Sequence, residues 1–523
     1  MSPMPGVLVG IPIAGAMMLW LVRARLEREH WAGSVAAALA LLVMTLLAQS
    51  SLPAEFSISN WGPIGLFHSE ISLILDPASW LLVTGSSLLL LSVLLTSVAR
   101  PGSSDAMTRA LSLAYTGLAI AALQAANLLT VILFWALADG LAFVVLLGEA
   151  DSIDTVWGLS RRFAVQTGSI FLVLAASVPV APEPAVDGGL RPALLGAAVL
   201  LRVGLWPLHV GLPQLPGLRR GMGALVRLLP PVMALAVLGR FMPADAPSWI
   251  LLVLLVLASA SVLVGGLRWF ASTDAVRARP YLVLCYAGIA VAVAAGAGAG
   301  ERSGVADTAF ALLIVGGLAS QMVLHERWHR WVLAATGAIA AGLPFTAFQG
   351  SLVGQFLGPA GGTSAGYPLL VVGVGMALVA AGTLRLVGRG LVPWESGEGF
   401  VRNAYGAGVL VLLLGAMLAG LPAPTTQTAG SLVSFALVLA AAISLNLLVG
   451  DRLDRALRRS LAAAGSLSHG VDRPAEDFLG ASLNLAARLV RGLGSVFEGG
   501  AALLWVYVFV LVAALVLVGG GGG

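Results

Sequence analysis

Apolar runs of about 18 to 25 residues, the length that crosses a hydrocarbon core, recur from residue 5 to residue 518 with only short connections between them. In lipid a backbone N–H or C=O has no water to bond, so each run must satisfy its own polar groups and is read as a helix. The runs predict spans at 5–22, 31–50, 78–99, 107–124, 127–148, 163–181, 193–210, 222–241, 248–267, 281–299, 305–324, 331–357 (broken), 368–388, 405–421, 428–449 and 500–518. The expected fold is therefore all-α, a polytopic membrane bundle of about sixteen helices. Hydrophobic residues are 59% of the chain and charged residues 10%, too little charge to cover a soluble protein of 523 residues.

The run Pro5–Val22 has no basic residue ahead of it and is followed by Arg23, Arg25 and Arg28, so it reads as a retained helix and not a cleaved signal. The one cysteine, Cys285, sits inside an apolar run and cannot supply a disulfide framework or a cysteine metal site. No phosphate loop, dinucleotide glycine pattern or haem-ligand pair is recognisable; no cofactor, metal site or catalytic residue is expected.

All 29 basic residues are arginine; there is no lysine. Alternate connections carry Arg23/Arg25/Arg28, Arg100/Arg109, Arg161/Arg162, Arg219/Arg220, Arg268/Arg277/Arg279, Arg327/Arg330 and Arg389/Arg402, while the other set carries Arg191 and Arg302. The positive-inside rule puts the arginine-rich set in the cytoplasm and both termini outside, as in a bacterial cytoplasmic membrane. The net charge of +4 then implies contact with anionic lipid, not nucleic acid. The expected divisions are a helical bundle over 1–450, amphipathic cytoplasmic-surface helices over 451–499, a final span over 500–518 and a glycine tail over 519–523. The amphipathic reading rests on Leu479, Leu483, Ala486, Val490, Leu493 and Phe497 at helical spacing with Arg488 and Arg491 between them.

Ionisable residues at membrane depth are costly and default to functional candidates. Here they are Asp139 in the fifth span, Arg202 and His209 in the seventh, and Arg227 and Arg240 in the eighth, with Pro207, Pro230 and Pro231 interrupting the last two. Proline removes a backbone donor and frees carbonyls, so the seventh and eighth spans are the expected polar centre. Blander roles compete: Asp139 as a packing ion pair, His209 as a cap or loop residue, Arg240 as a side chain snorkelling to the interface. Arg202, mid-span among Leu200, Leu201 and Val203, is the hardest to dismiss.

These residues carry a resemblance. Ile74-Leu75-Asp76-Pro77-Ala78-Ser79 resembles a Leu-Asp-Gly-Leu-Ser helix start, and Asn127-Leu128-Leu129 with Phe134-Trp135 is similar to Asn-Leu-Leu…Phe-Trp-Glu. Leu205-Trp206-Pro207-Leu208-His209 with Gly211-Leu212-Pro213 resembles Phe-Pro-x-His-x-Trp-Leu-Pro. Ser272-Thr273-Asp274, Arg277, Tyr281 and Gly288 match Gln-Thr-Asp-x-Lys-Arg…Tyr…Gly, and Gly342-Leu343-Pro344 with Phe348 is similar to the broken twelfth helix. In order and at these spacings, they resemble the antiporter-like membrane subunits of respiratory complex I (NADH:quinone oxidoreductase), Mrp-type sodium/proton antiporters and membrane-bound hydrogenases, with a core over about 76–358. The resemblance implies breaks near spans 7 and 12, a lateral helix before the last span, other membrane subunits as partners, and protons or sodium as the ions handled.

The departures matter equally. Such relatives carry protons along a midplane chain of glutamate, lysines and histidine. Here the glutamate position after Trp135 is Ala136, with Asp139 three residues on. The seventh-helix lysine falls on Arg202, the eighth-helix lysine on Met233, and the histidine before it on Arg227; Gly316, Ser320 and Ser351 take the later polar positions. A buried lysine can be brought to titrate near ambient pH; arginine stays charged. Three readings follow. One is a subunit that keeps the fold and its place in a complex with proton translocation lost or weakened, Asp139–Arg202 being a fixed pair. A second is a remodelled proton- or cation-conducting axis. A third is a stand-alone or anion-handling transporter subunit.

Overall fold

The computed structural model describes residues 2–22, 27–58, 70–99, 106–148, 150, 152–177, 187–208, 222–243, 246–272, 275–296, 303–343, 346, 366–394, 398–420 and 429–448. The chain forms two compact units, 1–461 and 462–523, and all described residues belong to the first. They form fifteen helices: α1 Met4–Leu21, α2 Glu27–Ala48, α3 Pro77–Ser97, α4 Ala106–Leu123, α5 Leu128–Gly148, α6 Ile153–Ser177, α7 Asp187–Val203, α8 Met222–Phe241, α9 Ser248–Ala271, α10 Ala275–Gly296, α11 Ser303–Gln321, α12 Trp328–Ala340, α13 Gly366–Val387, α14 Gly399–Gly420 and α15 Ala429–Leu448. Eleven are long and apolar enough to cross a membrane. The protein is an integral membrane protein. Each of the first fifteen spans expected from sequence has its helix. The predicted sixteenth span, the amphipathic stretch 451–499 and the glycine tail lie outside the described residues.

Helices α3, α8, α10 and α11 form the centre, almost wholly buried, while α1 and α2 lie at the periphery. Without a hydrophobic force between helices in lipid, close backbone approach supplies the packing energy. The closest pair is α9 with α10. A Cβ on Gly265 would sit 2.7 Å from both the Cys285 amide nitrogen and the Tyr281 carbonyl oxygen, and one on Gly288 would sit 2.8 Å from the Ala258 carbonyl oxygen.

Local signals set the helix ends. Asp76 caps α3: its carboxylate accepts from the Ser79 amide at 2.7 Å, and the Ser79 hydroxyl accepts from the Asp76 amide at 2.9 Å, with Pro77 in the first turn. Asn127 caps α5 by accepting from the Thr130 amide at 2.8 Å. Helix α7 stops at Gly204 (φ 70°) and α12 at Gly342 (φ 84°), left-handed positions that suit glycine. The Leu343 amide reaches back to the Ala338 carbonyl at 3.0 Å, closing the α12 end. Both helices end inside apolar runs that the sequence expects to be interrupted, and most of what immediately follows Leu208 and Leu343 lies outside the described residues.

Two details differ from the all-α expectation and from the arginine map. A two-stranded antiparallel hairpin pairs β1 Ala54–Ile58 with β2 Ile71–Leu75 ahead of α3. Its second strand alternates, with Ile71, Leu73 and Leu75 buried, a period-two pattern too short to register beside eighteen-residue runs. Arg109, Arg162 and Arg279, placed in connections by sequence, lie inside α4, α6 and α10 and are buried. Hydropathy trims the 163–181 and 281–299 spans just after Arg162 and Arg279, whereas α6 starts ten residues before its run, at Ile153.

Gly265→Ala should lower stability by about 1–3 kcal/mol through overpacking. Gly168→Ala, where no described atom lies within 4 Å of the new methyl, should be neutral or slightly stabilising. Thermal unfolding of the purified chain in detergent separates the two; equal effects would contradict the packing account.

Candidate functional site

Helix α5 presents Trp135 and Asp139 one turn apart, on one face. Arg202 comes from the last turn of α7, just before the chain breaks at Gly204. Its guanidinium meets Asp139 with both prongs, Nη1 to Oδ2 at 2.7 Å and Nη2 to Oδ1 at 2.8 Å. The two side chains are 0% and 1% exposed. The Arg202 guanidinium carbon lies 4.0 Å from the centre of the Trp135 ring. Planar, bidentate and stacked, this geometry is available to arginine and not to lysine. It uses both carboxylate oxygens.

Ala136 is exposed on α5, while Asp139 is buried. Three residues advance a helix by about 300°, a net offset of about 60°, and Asp139 falls on the buried side of that offset while Ala136 falls on the exposed side.

A third helix joins through Arg162. Pro230 has no N–H, so the carbonyl four residues before it, Val226, loses its helical donor. Arg162 Nη2 from α6 donates to that oxygen at 3.0 Å. Arg162 lies within electrostatic reach of Tyr115, Asp139 and Arg202, and Arg227 within reach of Arg162. Arg162, Arg202, Arg227 and Asp139 are all 5% exposed or less, and Tyr115 of α4 is fully buried. Sequence reasoning missed Arg162 and Tyr115. The usable signal was the proline pair, which announces unpaired carbonyls one turn earlier on α8 and hence a donor from a neighbour.

Beyond the break, the Trp206 amide donates to Ser261 Oγ of α9 at 2.9 Å, and Pro207 follows. Met233, at the eighth-helix lysine position, is fully buried in α8. His209, Pro213, Asp274 and Pro344 lie outside the described residues, and Arg277 is described only as part of the α10 backbone.

Arg240 bonds to partners within the chain. Its Nη2 pairs with Asp76 Oδ2 at 2.8 Å, and its Nη1 donates to the Ala125 carbonyl at 2.7 Å and the Leu123 carbonyl at 3.3 Å. The cap of α3, the end of α4 and the end of α8 are thereby joined, which costs less than leaving the carbonyls and the carboxylate unpaired. A cavity of about 350 Å³ opens here, lined by Asp76, Ser79, Leu82, Leu235, Arg240 and Val305 among others.

No sequence model of a known family and no curated protein matches the chain. Solved structures do match in fold. A chain of the Mrp complex from Dietzia sp. DQ12-45-1b superposes with a TM-score of 0.73 at 15% identity, over 98% of this chain and 62% of its own length. This chain thus spans less than two thirds of that one. A chain of respiratory complex I from Thermus thermophilus matches at 0.64 and 18% identity, over 84% of this chain and 99% of that one. A chain of the membrane-bound sulfane sulfur reductase, an archaeal respiratory membrane complex, matches at 0.66 and 17%, over 97% and 99%. The protein has the fold shared by these chains of the three complexes.

Burial raises the Asp76 carboxyl, but the Arg240 guanidinium and the Ser79 hydrogen bonds outweigh it and hold the carboxyl below its ordinary value. A depressed acid stabilises the fold fully above its unfolded value of about 4 and loses that contribution as pH falls through the folded value. The melting temperature of Asp76→Asn, which keeps a capping side chain, should fall below wild type at neutral pH, and the gap should close below about pH 4. A gap unchanged under acid would contradict the pairing.

Proposed function

We propose that this protein is an antiporter-like integral subunit of a multi-subunit membrane complex of the complex I, Mrp or hydrogenase type, in which the central charges are a fixed strut and proton translocation is lost or weakened. One observation carries the reading: the bidentate Asp139–Arg202 pair, closed, buried and stacked on Trp135. A relay group must release and regain a proton; a guanidinium holds its proton across the whole accessible pH range. With both Asp139 oxygens engaged and no lysine in the chain, the pair is suited to tying α5 to α7 beside the α7 break. The partners are other membrane subunits and anionic lipids. The membrane is a bacterial cytoplasmic one, with both termini outside and residues 451–499 lying along its inner surface. A remodelled conducting axis would need this pair to open during each cycle.

Removing one partner of a buried pair costs about 3–5 kcal/mol, whereas replacing both by apolar groups is often neutral. The decisive variant is therefore the double Asp139→Leu/Arg202→Met, alongside Asp139→Asn and Arg202→Met. The complex is reconstituted in liposomes and proton uptake followed with a pH-sensitive dye. The double variant should assemble and translocate protons at the wild-type rate. Intact assembly with collapsed translocation would show that the pair conducts.

A further inference from the structure

The cluster around Arg162 is richer in donors than in acceptors. Both Asp139 oxygens belong to Arg202. Arg162 has one backbone carbonyl, Val226, on Nη2, and its buried Nε and Nη1 meet no acceptor among the described residues. Arg202 Nε, Trp135 Nε1 and Tyr115 Oη are likewise buried without a partner there. Tyr115 lies within electrostatic reach of Arg162, Asp139 and Arg202. Among the described residues, the carboxylate in reach of Arg162 is Asp139, already matched one-to-one.

A buried guanidinium stays ionised and is costly without a counter-charge. Five unsatisfied donor positions beside the buried Arg162 guanidinium select an acceptor that carries negative charge and offers no donor of its own. At 5% exposure or less, Arg162 is beyond the reach of a lipid headgroup. Of the anions that fit this description, a small monovalent one carries the smaller desolvation cost. We infer that this cluster, on α4, α5, α6 and α7, binds a small monovalent inorganic anion of the halide class, held by Arg162. The anion is a structural counter-ion; its binding is independent of whether protons move through the subunit.

The test is equilibrium binding of radiolabelled chloride to the purified full-length chain in detergent, at constant ionic strength made up with gluconate. Wild type should bind saturably, about one chloride per chain, with bromide competing. Arg162→Gln should weaken binding by about tenfold or more, as loss of one charge-assisted contact implies. Asp139→Asn, which removes the competing negative charge, should tighten it. Should Arg162→Gln fail to fold, anomalous scattering from bromide bound to wild type gives the position directly, and it should lie beside Arg162. No saturable chloride binding, undiminished binding in Arg162→Gln, or bromide located elsewhere would each overturn the inference and assign the donors to water.

Discussion

The bridge between Asp139 and Arg202 sets the terms for the rest of the molecule. Two full charges buried within a helical bundle are tolerable only if each is matched at close range. The fold meets this by spacing. Trp135 and Asp139 lie one turn apart on α5, so the guanidinium reaching over from α7 sits over the indole ring while both its prongs meet the carboxylate. Because α7 stops at Gly204 immediately afterwards, the bridge also anchors the free end of a broken helix. An amine in the same place would be a point charge with no plane to stack and a proton to give up.

Around the bridge the structure repeats one device: a backbone carbonyl left without a helical donor is taken by an arginine from elsewhere in the sequence. Pro230 exposes the Val226 carbonyl and Arg162 takes it. The end of α4 leaves the Leu123 and Ala125 carbonyls, and Arg240 takes both while pairing with the α3 cap. Arg385 similarly reaches the Phe270 carbonyl near the end of α9 at 3.1 Å. Each arginine spans two helices at a point where a helix ends or is interrupted. A chain whose basic residues are all arginine is suited to this, since the forked guanidinium serves several acceptors at once. Here the buried basic residues hold helices together.

Much of this was legible in the sequence, and the limits are physical. Span existence is written in run length, because lipid enforces it residue by residue. The early ends of α7 and α12 were legible in part, from Pro207 and from the resemblance carried by Gly342-Leu343-Pro344, whereas Gly204 was not read as a signal. Asp139 and Arg202 stood out as isolated charges in apolar runs. What sequence could not supply was direction. The step from Ala136 to Asp139 moves a side chain from the outside of α5 to its inside, and no count along the chain shows that without knowing where α7 lies. Arg162 and Arg279 looked like loop residues because hydropathy ends a span at a charge, although a charge with partners inside the bundle can lie well within a helix. The hairpin ahead of α3 was hidden because five-residue strands carry little signal against long apolar runs. Arg240 was misread because its acceptors, Asp76 and two carbonyls, are over a hundred positions away in sequence.

The central claim is that Asp139 and Arg202 never part. A side-chain-resolution structure of the assembled complex, trapped during turnover with a proton gradient imposed, tests it most directly. The account predicts the two-pronged bridge and the Trp135 stack unchanged in every resolved state. A state in which Arg202 has swung away and ordered water connects Asp139 to a membrane face would contradict it.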